Sequence, residues 1–523
     1  MAPETHRHIT MIALLAWVGL GANGLSSTAY GPELAFIALG THTELALFLA
    51  LATVMTVIVI AISYNQVIEL FPTGGGGYKV ATRLLGKSPG LVSGSALVVD
   101  YVLTIAISIA AGVDALFSFL PLSWGFLKTE AASLALLTLM VLNLRGVKDS
   151  IKVLLPIFIG FVTTHAFLII YGVARNAKNI GTLFPESLSE AQSLSGEMGL
   201  LFVIALFVRA YGMGGGTYTG IEAVSNNVHM LKEPRERTGK LTMLYMAISL
   251  SFTAGGIILL YLLWNAEPVA GQTLNAVVFG SILADWPTWG GVRTGEVLLV
   301  VTLVSAAGLL FLAANDGFLG GPTTLANMAV DHWVPHRFSQ LSDRLVTKNG
   351  ILLMGGAAFA VLLFSDGRVE YLVILYSVNV FLTFSLTLLG LCVYYWKNRG
   401  TVDGWLPRLG LTLWGLMATS GILVITLMEK FFEGGMVAAI VTITFAGLCA
   451  LVRRHYRQVR QRLFALDEIL TQIPVTTTGK PVPPIREGEP AAVFFVSSYR
   501  GVGIHTLLNS QRLFPGRFRN FVF

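Results

Sequence analysis

Apolar residues run through this chain in blocks of about twenty, parted by short polar connectors, from residue 9 to residue 452. Each block matches the roughly 30 Å of hydrocarbon that a helix rising about 1.5 Å per residue must cross. The pattern predicts twelve spans: 9–39 (broken), 44–69, 89–119, 130–144, 151–173, 199–230 (broken), 240–264, 294–317, 350–364, 369–395, 409–427 and 434–452. The fold class is therefore an all-α polytopic membrane protein, with residues 1–455 as its transmembrane domain. After 452 the pattern changes. Residues 453–471 read as a basic amphipathic helix, and 473–489 as a proline-rich linker. The alternation at 491–498, a helical stretch at 501–514 and a second strand from 518 read as the start of a cytosolic α/β domain over 490–523. A lone fragment of this kind cannot close a core.

Two spans break their own pattern. In the first, residues 19–33 place four glycines, Asn23, Ser26, Ser27, Thr28 and Tyr30 inside an apolar segment. In the sixth, residues 210–220 read Ala-Tyr-Gly-Met-Gly-Gly-Gly-Thr-Tyr-Thr-Gly. Glycine weakens a helix interior, and non-helical backbone at membrane depth survives only inside protein or beside a polar cavity. One such break fits ordinary close packing. Two, five spans apart, predict two inverted five-helix repeats with unwound segments around a central site.

Composition agrees: 523 residues, 54% hydrophobic and 12% charged, against about 25% charged in soluble proteins. The net charge of +6 lies in short connectors, so it does not point to nucleic acid. Lysine and arginine concentrate on alternate connectors, as with Lys79, Arg83 and Lys87, then Lys232, Arg235, Arg237 and Lys240. That asymmetry predicts a multi-pass protein of the cell membrane with both termini cytoplasmic. No cleavable leader is evident, and Cys392 and Cys449 fall in apolar segments as packing residues.

Intramembrane acids carry the chemistry. Asp100 sits near the middle of span three, where a carboxylate costs roughly 2.5–3.5 kcal/mol on insertion scales. Thr104 and Ser108 follow at i+4 and i+8 on the same face. Glu222 follows Thr219 at the second break, where it binds a cation, carries a proton or pairs with Arg209. Asp114 lies nearer the outer end, and His165 reads as a core histidine. Residues 19–24 spell Gly-x-Gly-x-x-Gly, but membrane spans flank them, which excludes a dinucleotide fold. The glycine run 74–77 lacks a P-loop ending and reads as a tight connecting turn. Hydroxyls, freed carbonyls and two carboxylates suit a hard cation; an amino acid fits too, with its carboxylate at a half-helix N-terminus. No catalytic residue and no cofactor is expected.

In combination, residues 25–31, 64–68 with 74–78, 99–112, 219–226, 313–318 and 375–381 resemble the amino acid–polyamine–organocation superfamily, and within it the KimA-type potassium importers. The likeness covers nearly all of 9–455. It implies a LeuT-like 5+5 core plus two helices, proton-coupled alternating access, and a site at or beside Asn23, Ser26, Ser27, Tyr30, Asp100, Tyr101, Thr104, Ser108, Thr219, Glu222 and Tyr376. Asp100 and Glu222 would carry the protons, and the protein would be a homodimer. Those importers hold an aspartate where this chain has Asn23. Asparagine keeps an oxygen ligand and loses the charge, so potassium and an amino acid both stay open as cargo. A membrane sensor with a transporter's fold is the reading from another class; the paired breaks argue against a channel.

Overall fold

The computed structural model describes residues 11–146, 151–344, 346–471, 488–495 and 501–522. Most of the linker reading, residues 473–487, lies outside the described residues. The chain divides into two compact units, residues 1–331 with 335–447, and residues 332–334 with 448–523.

In the first unit the elements run α1 (Ala13–Ser26), α2 (Gly31–Ile37), α3 (Ala46–Leu70), α4 (Gly76–Leu84), α5 (Lys87–Phe117), α6 (Lys128–Leu144), α7 (Ile151–Arg175), α8 (Ile180–Met198), α9 (Leu200–Met213), α10 (Ala223–Asn226), α11 (Arg235–Leu263), α12 (Leu274–Leu283), the hairpin β1 (Thr288–Trp289) and β2 (Val292–Arg293), α13 (Thr294–Val330), α14 (Lys348–Phe364), α15 (Val369–Lys397) and α16 (Trp405–Glu429). The last span, α17 (Met436–Thr471), passes from the first unit into the second.

Ten helices among the described residues are long and apolar enough to cross a membrane. The two other expected spans are the broken first and the 17-residue α14, about 25 Å long. Exposed side chains mark the lipid face: Leu51, Met55, Ile58 and Ile62 form one apolar stripe along α3. In contrast α5 and α15 are buried along most of their length and pack together, α5 also against α13. The small residues of α5 permit that approach: Gly94, Ala106, Ala110, Ala111 and Gly112 are all buried.

Several elements depart from the hydropathy pattern. Helix α8 and helix α12 are additional, and the eighth span continues to Val330. The final span does not stop at 452; no glycine or proline lies between residue 452 and Thr471 to end it. The glycine run opens a helix as well as a turn. Gly74, Gly75 and Gly76 take φ of +73°, +120° and +48°, and α4 starts at the third.

The second unit also contains β3 (Ala491–Val493), α18 (Gly501–Leu513) and β4 (Asn520–Val522). The two strands pair in parallel with a helix between them, the minimal βαβ arrangement. Within the same unit Arg453 stacks over Trp333, 3.8 Å from its ring centre.

Candidate functional site

The first break is shorter than the glycines predict. Helix α1 runs through Gly19, Gly21 and Gly24 to Ser26, and only Ser27–Ala29 tighten to a 3₁₀ turn before Tyr30 leaves helical geometry. At Gly24 this helix passes directly against the second break: a methyl there would lie 3.5 Å from the carbonyl oxygen of Thr219, in ordinary contact. The second break is the longer one. Helix α9 ends at Met213, Gly214–Tyr218 form a 3₁₀ turn, Thr219 is extended, and Gly220 takes φ +76°. A methyl on Gly220 would sit 2.5 Å from the backbone nitrogen of Gly24, so the second break crosses the last turn of α1 backbone against backbone.

Side chains then hold the breaks in place. Ser27 Oγ donates to Gly24 O (2.5 Å) and lies 3.1 Å from Thr217 O, joining the first break to the second. Ser26 Oγ donates to Asn23 O at 2.8 Å and Thr219 Oγ1 to Gly216 O at 2.9 Å. Asn275, on α12, points its amide nitrogen at the freed carbonyls of Thr28 and Ala29, 3.4 Å from each, while its oxygen accepts from Tyr261 OH at 2.6 Å.

Beside this crossing lies a cavity of about 280 Å³. Of the eleven predicted site residues it is lined by Asn23, Asp100, Tyr101, Thr104, Thr219, Glu222 and Tyr376. Tyr30 lies behind that wall, its hydroxyl within reach of Thr219, and Tyr376 reaches both Thr104 and Thr219. Ser26, Ser27 and Ser108 are buried and do not line the cavity. Thr104 Oγ1 donates to Asp100 O at 2.9 Å.

Asp100 is 6% exposed, and its Oδ1 has no hydrogen-bond partner among the described residues. Glu222 adjoins Tyr64 and Asn226. The alternative pairing with Arg209 is not seen, for a physical reason: Arg209 sits on the exposed side of α9, near Glu429. His165 is a core residue, its Nδ1 2.9 Å from Phe161 O and its ring stacked on Phe161. Asp114 is paired with Lys128 at 2.7 Å.

Among the lining residues that the sequence reading did not name as site residues, three bear on its chemistry. Asp316 is a further acid inside a span, the same signal that singled out Asp100. Asn226 stands four residues after Glu222, on the same helical face. Asn327 lies beyond the predicted end of span eight. The cavity reaches exposed His229 and Met230 at the basic end of the bundle, whereas Tyr30 and Ser27 at its other end are buried.

A polar cavity at the crossing of two interrupted spans, inside an otherwise apolar bundle, is the architecture of a membrane transport protein. The chain belongs to the amino acid permease family, whose profile matches residues 15–452. It is 31% identical over 474 residues to the potassium transporter KimA of Bacillus subtilis (strain 168), an alignment that covers 90% of this chain and 75% of that relative.

Proposed function

We propose that this permease imports potassium together with protons by alternating access, with the cell membrane as its seat and both termini cytoplasmic. Spans one to five and six to ten would form inverted repeats, and the cavity would open to the cytoplasm in the present arrangement. Asn23, Asp100, Tyr101, Thr104, Thr219, Glu222 and Tyr376 would surround the ion, Tyr30 would support it, and Asp100 and Glu222 would take up the protons.

One observation carries the reading: Asp100, Glu222 and Asp316 line the cavity, and no lysine or arginine does among the described residues. A buried carboxylate oxygen without a hydrogen-bond partner, as at Asp100 Oδ1, is tolerated where a cation completes it. Oxygen donors from hydroxyls and amides suit a potassium ion that has shed its water. The likeness to a potassium transporter points the same way. A second reading, an amino acid as cargo, is favoured by Asn23, which removes one of the charges a potassium site would use. An amino acid would have to present its carboxylate to the same three acids.

Potassium uptake into proteoliposomes, with and without a pH gradient and with amino acid competitors, separates the readings. Potassium flux stimulated by an inward proton gradient supports the first. Absence of any potassium-dependent flux refutes it, and binding without flux would identify a sensor.

A further inference from the structure

Asn226 occupies an unusual position. It ends the four-residue α10, the inner remnant of span six, and it lines the cavity. Its Nδ2 lies 3.3 Å from the hydroxyl of Tyr101 on α5, and its side chain also adjoins Glu222. Its far side rests in the glycine turn before α4. A methyl on Gly76 would fall 1.5 Å from Asn226 Oδ1, and one on Gly74 would fall 2.8 Å from Asn226 O. Since Gly74, Gly75 and Gly76 all have positive φ, the turn is built so that no side chain fills the space Asn226 uses.

We propose that the Gly74–Gly76 turn is a socket for Asn226, and that Asn226 is the positioning residue that latches the inner half of span six to Tyr101 in the cavity-open arrangement. Glu222 lies one helical turn before it, so whatever Glu222 binds acts on the latch directly. This rests on the transport reading, but the latch is tested without any ion gradient. In the arrangement described, the latch is engaged and the cavity reaches the basic end. Releasing it lowers the population of that arrangement, because the contact is made there and helps to define it.

The test uses the full chain in detergent, with Cys392 and Cys449 replaced by serine and the cavity-lining Leu97→Cys as the reporter. The rate of reaction with a water-soluble thiol reagent measures access from the cavity. Asn226→Ala is expected to slow labelling by about fivefold, the population shift that one lost part-buried hydrogen bond produces. Gly76→Ala should slow it similarly by filling the socket, and the double variant should be no slower than Gly76→Ala alone, because both changes break one contact. Should either fail to fold, Tyr101→Phe removes only the hydroxyl at the far end of the latch and should reproduce the loss. Labelling at the parental rate in Asn226→Ala or Tyr101→Phe, or slowing that multiplies in the double variant, would overturn the proposal. Loss of transport in the parent protein alone would instead overturn the transport reading and leave the latch standing.

Discussion

Asp100→Asn is the sharpest perturbation of the site. It keeps the size and shape of the side chain, so packing in α5 is preserved, but replaces one oxygen by an NH2 donor and removes one charge from a group that is 6% exposed. A potassium ion at about 3 Å from a carboxylate oxygen, in an effective dielectric of about 20, gains roughly 5 kcal/mol of gross attraction. The amide oxygen retains part of this as an ion–dipole contact, and the neutral variant no longer has to desolvate a charge when empty. Taking about half as the net loss gives ~3 kcal/mol, or about a hundredfold weaker potassium affinity. Rubidium or potassium flux in proteoliposomes, measured across external concentrations, reads this as a raised half-saturation. Proton-driven uptake should vanish if Asp100 also carries the coupled proton. Thermal unfolding of the purified variant controls for folding. A change below threefold in half-saturation, with unaltered proton-driven uptake, would remove Asp100 from the site.

Asn23→Asp adds a fourth acid to the cavity wall and should raise potassium affinity at neutral pH by about tenfold, or ~1.4 kcal/mol; equal titrations of the two proteins would refute this. Gly220→Ala combines φ +76° with a methyl 2.5 Å from the backbone of Gly24, so it should cost roughly 3 kcal/mol or more and give little monodisperse protein. A normally stable variant would show that the crossing is not tight. Asn275→Leu leaves Thr28 O, Ala29 O and Tyr261 OH without their partner and should destabilise the fold by about 1–2 kcal/mol, read as a lowered Tm. An unchanged Tm would mean that the break in span one holds itself.

The span pattern was legible because hydrocarbon imposes one length and one polarity on every helix that crosses it. What hydropathy could not show was anything decided by contact. Glycines 19–24 look like helix breakers, yet they lie within an unbroken helix; glycine composition is the same in both cases. Ser26 and Ser27 looked like ligands, but a buried hydroxyl beside freed backbone carbonyls binds those first. Asp100 was readable since a charge at membrane depth has few alternatives. Asp316 carried the same signal and was passed over within a longer motif. Helices α8 and α12 were missed because they are amphipathic or short, and hydropathy windows tuned to spans pass over both. Glu222 lines the cavity, and of the alternatives open for it the pairing with Arg209 is not made, because the side of α9 that Arg209 occupies depends on packing rather than on spacing.

The crossing of Gly24 and Gly220 has a mechanical meaning. Where side chains separate two helices, each can slip past the other by a rotamer change. Here two backbones touch with nothing between them to yield, so the interrupted spans are riveted at one point. A motion that swings one would carry the other with it at this point, and the cavity would then open or shut as a single event. In a carrier that worked by alternating access, such coupling would suppress leak, because the two halves would release their hold together.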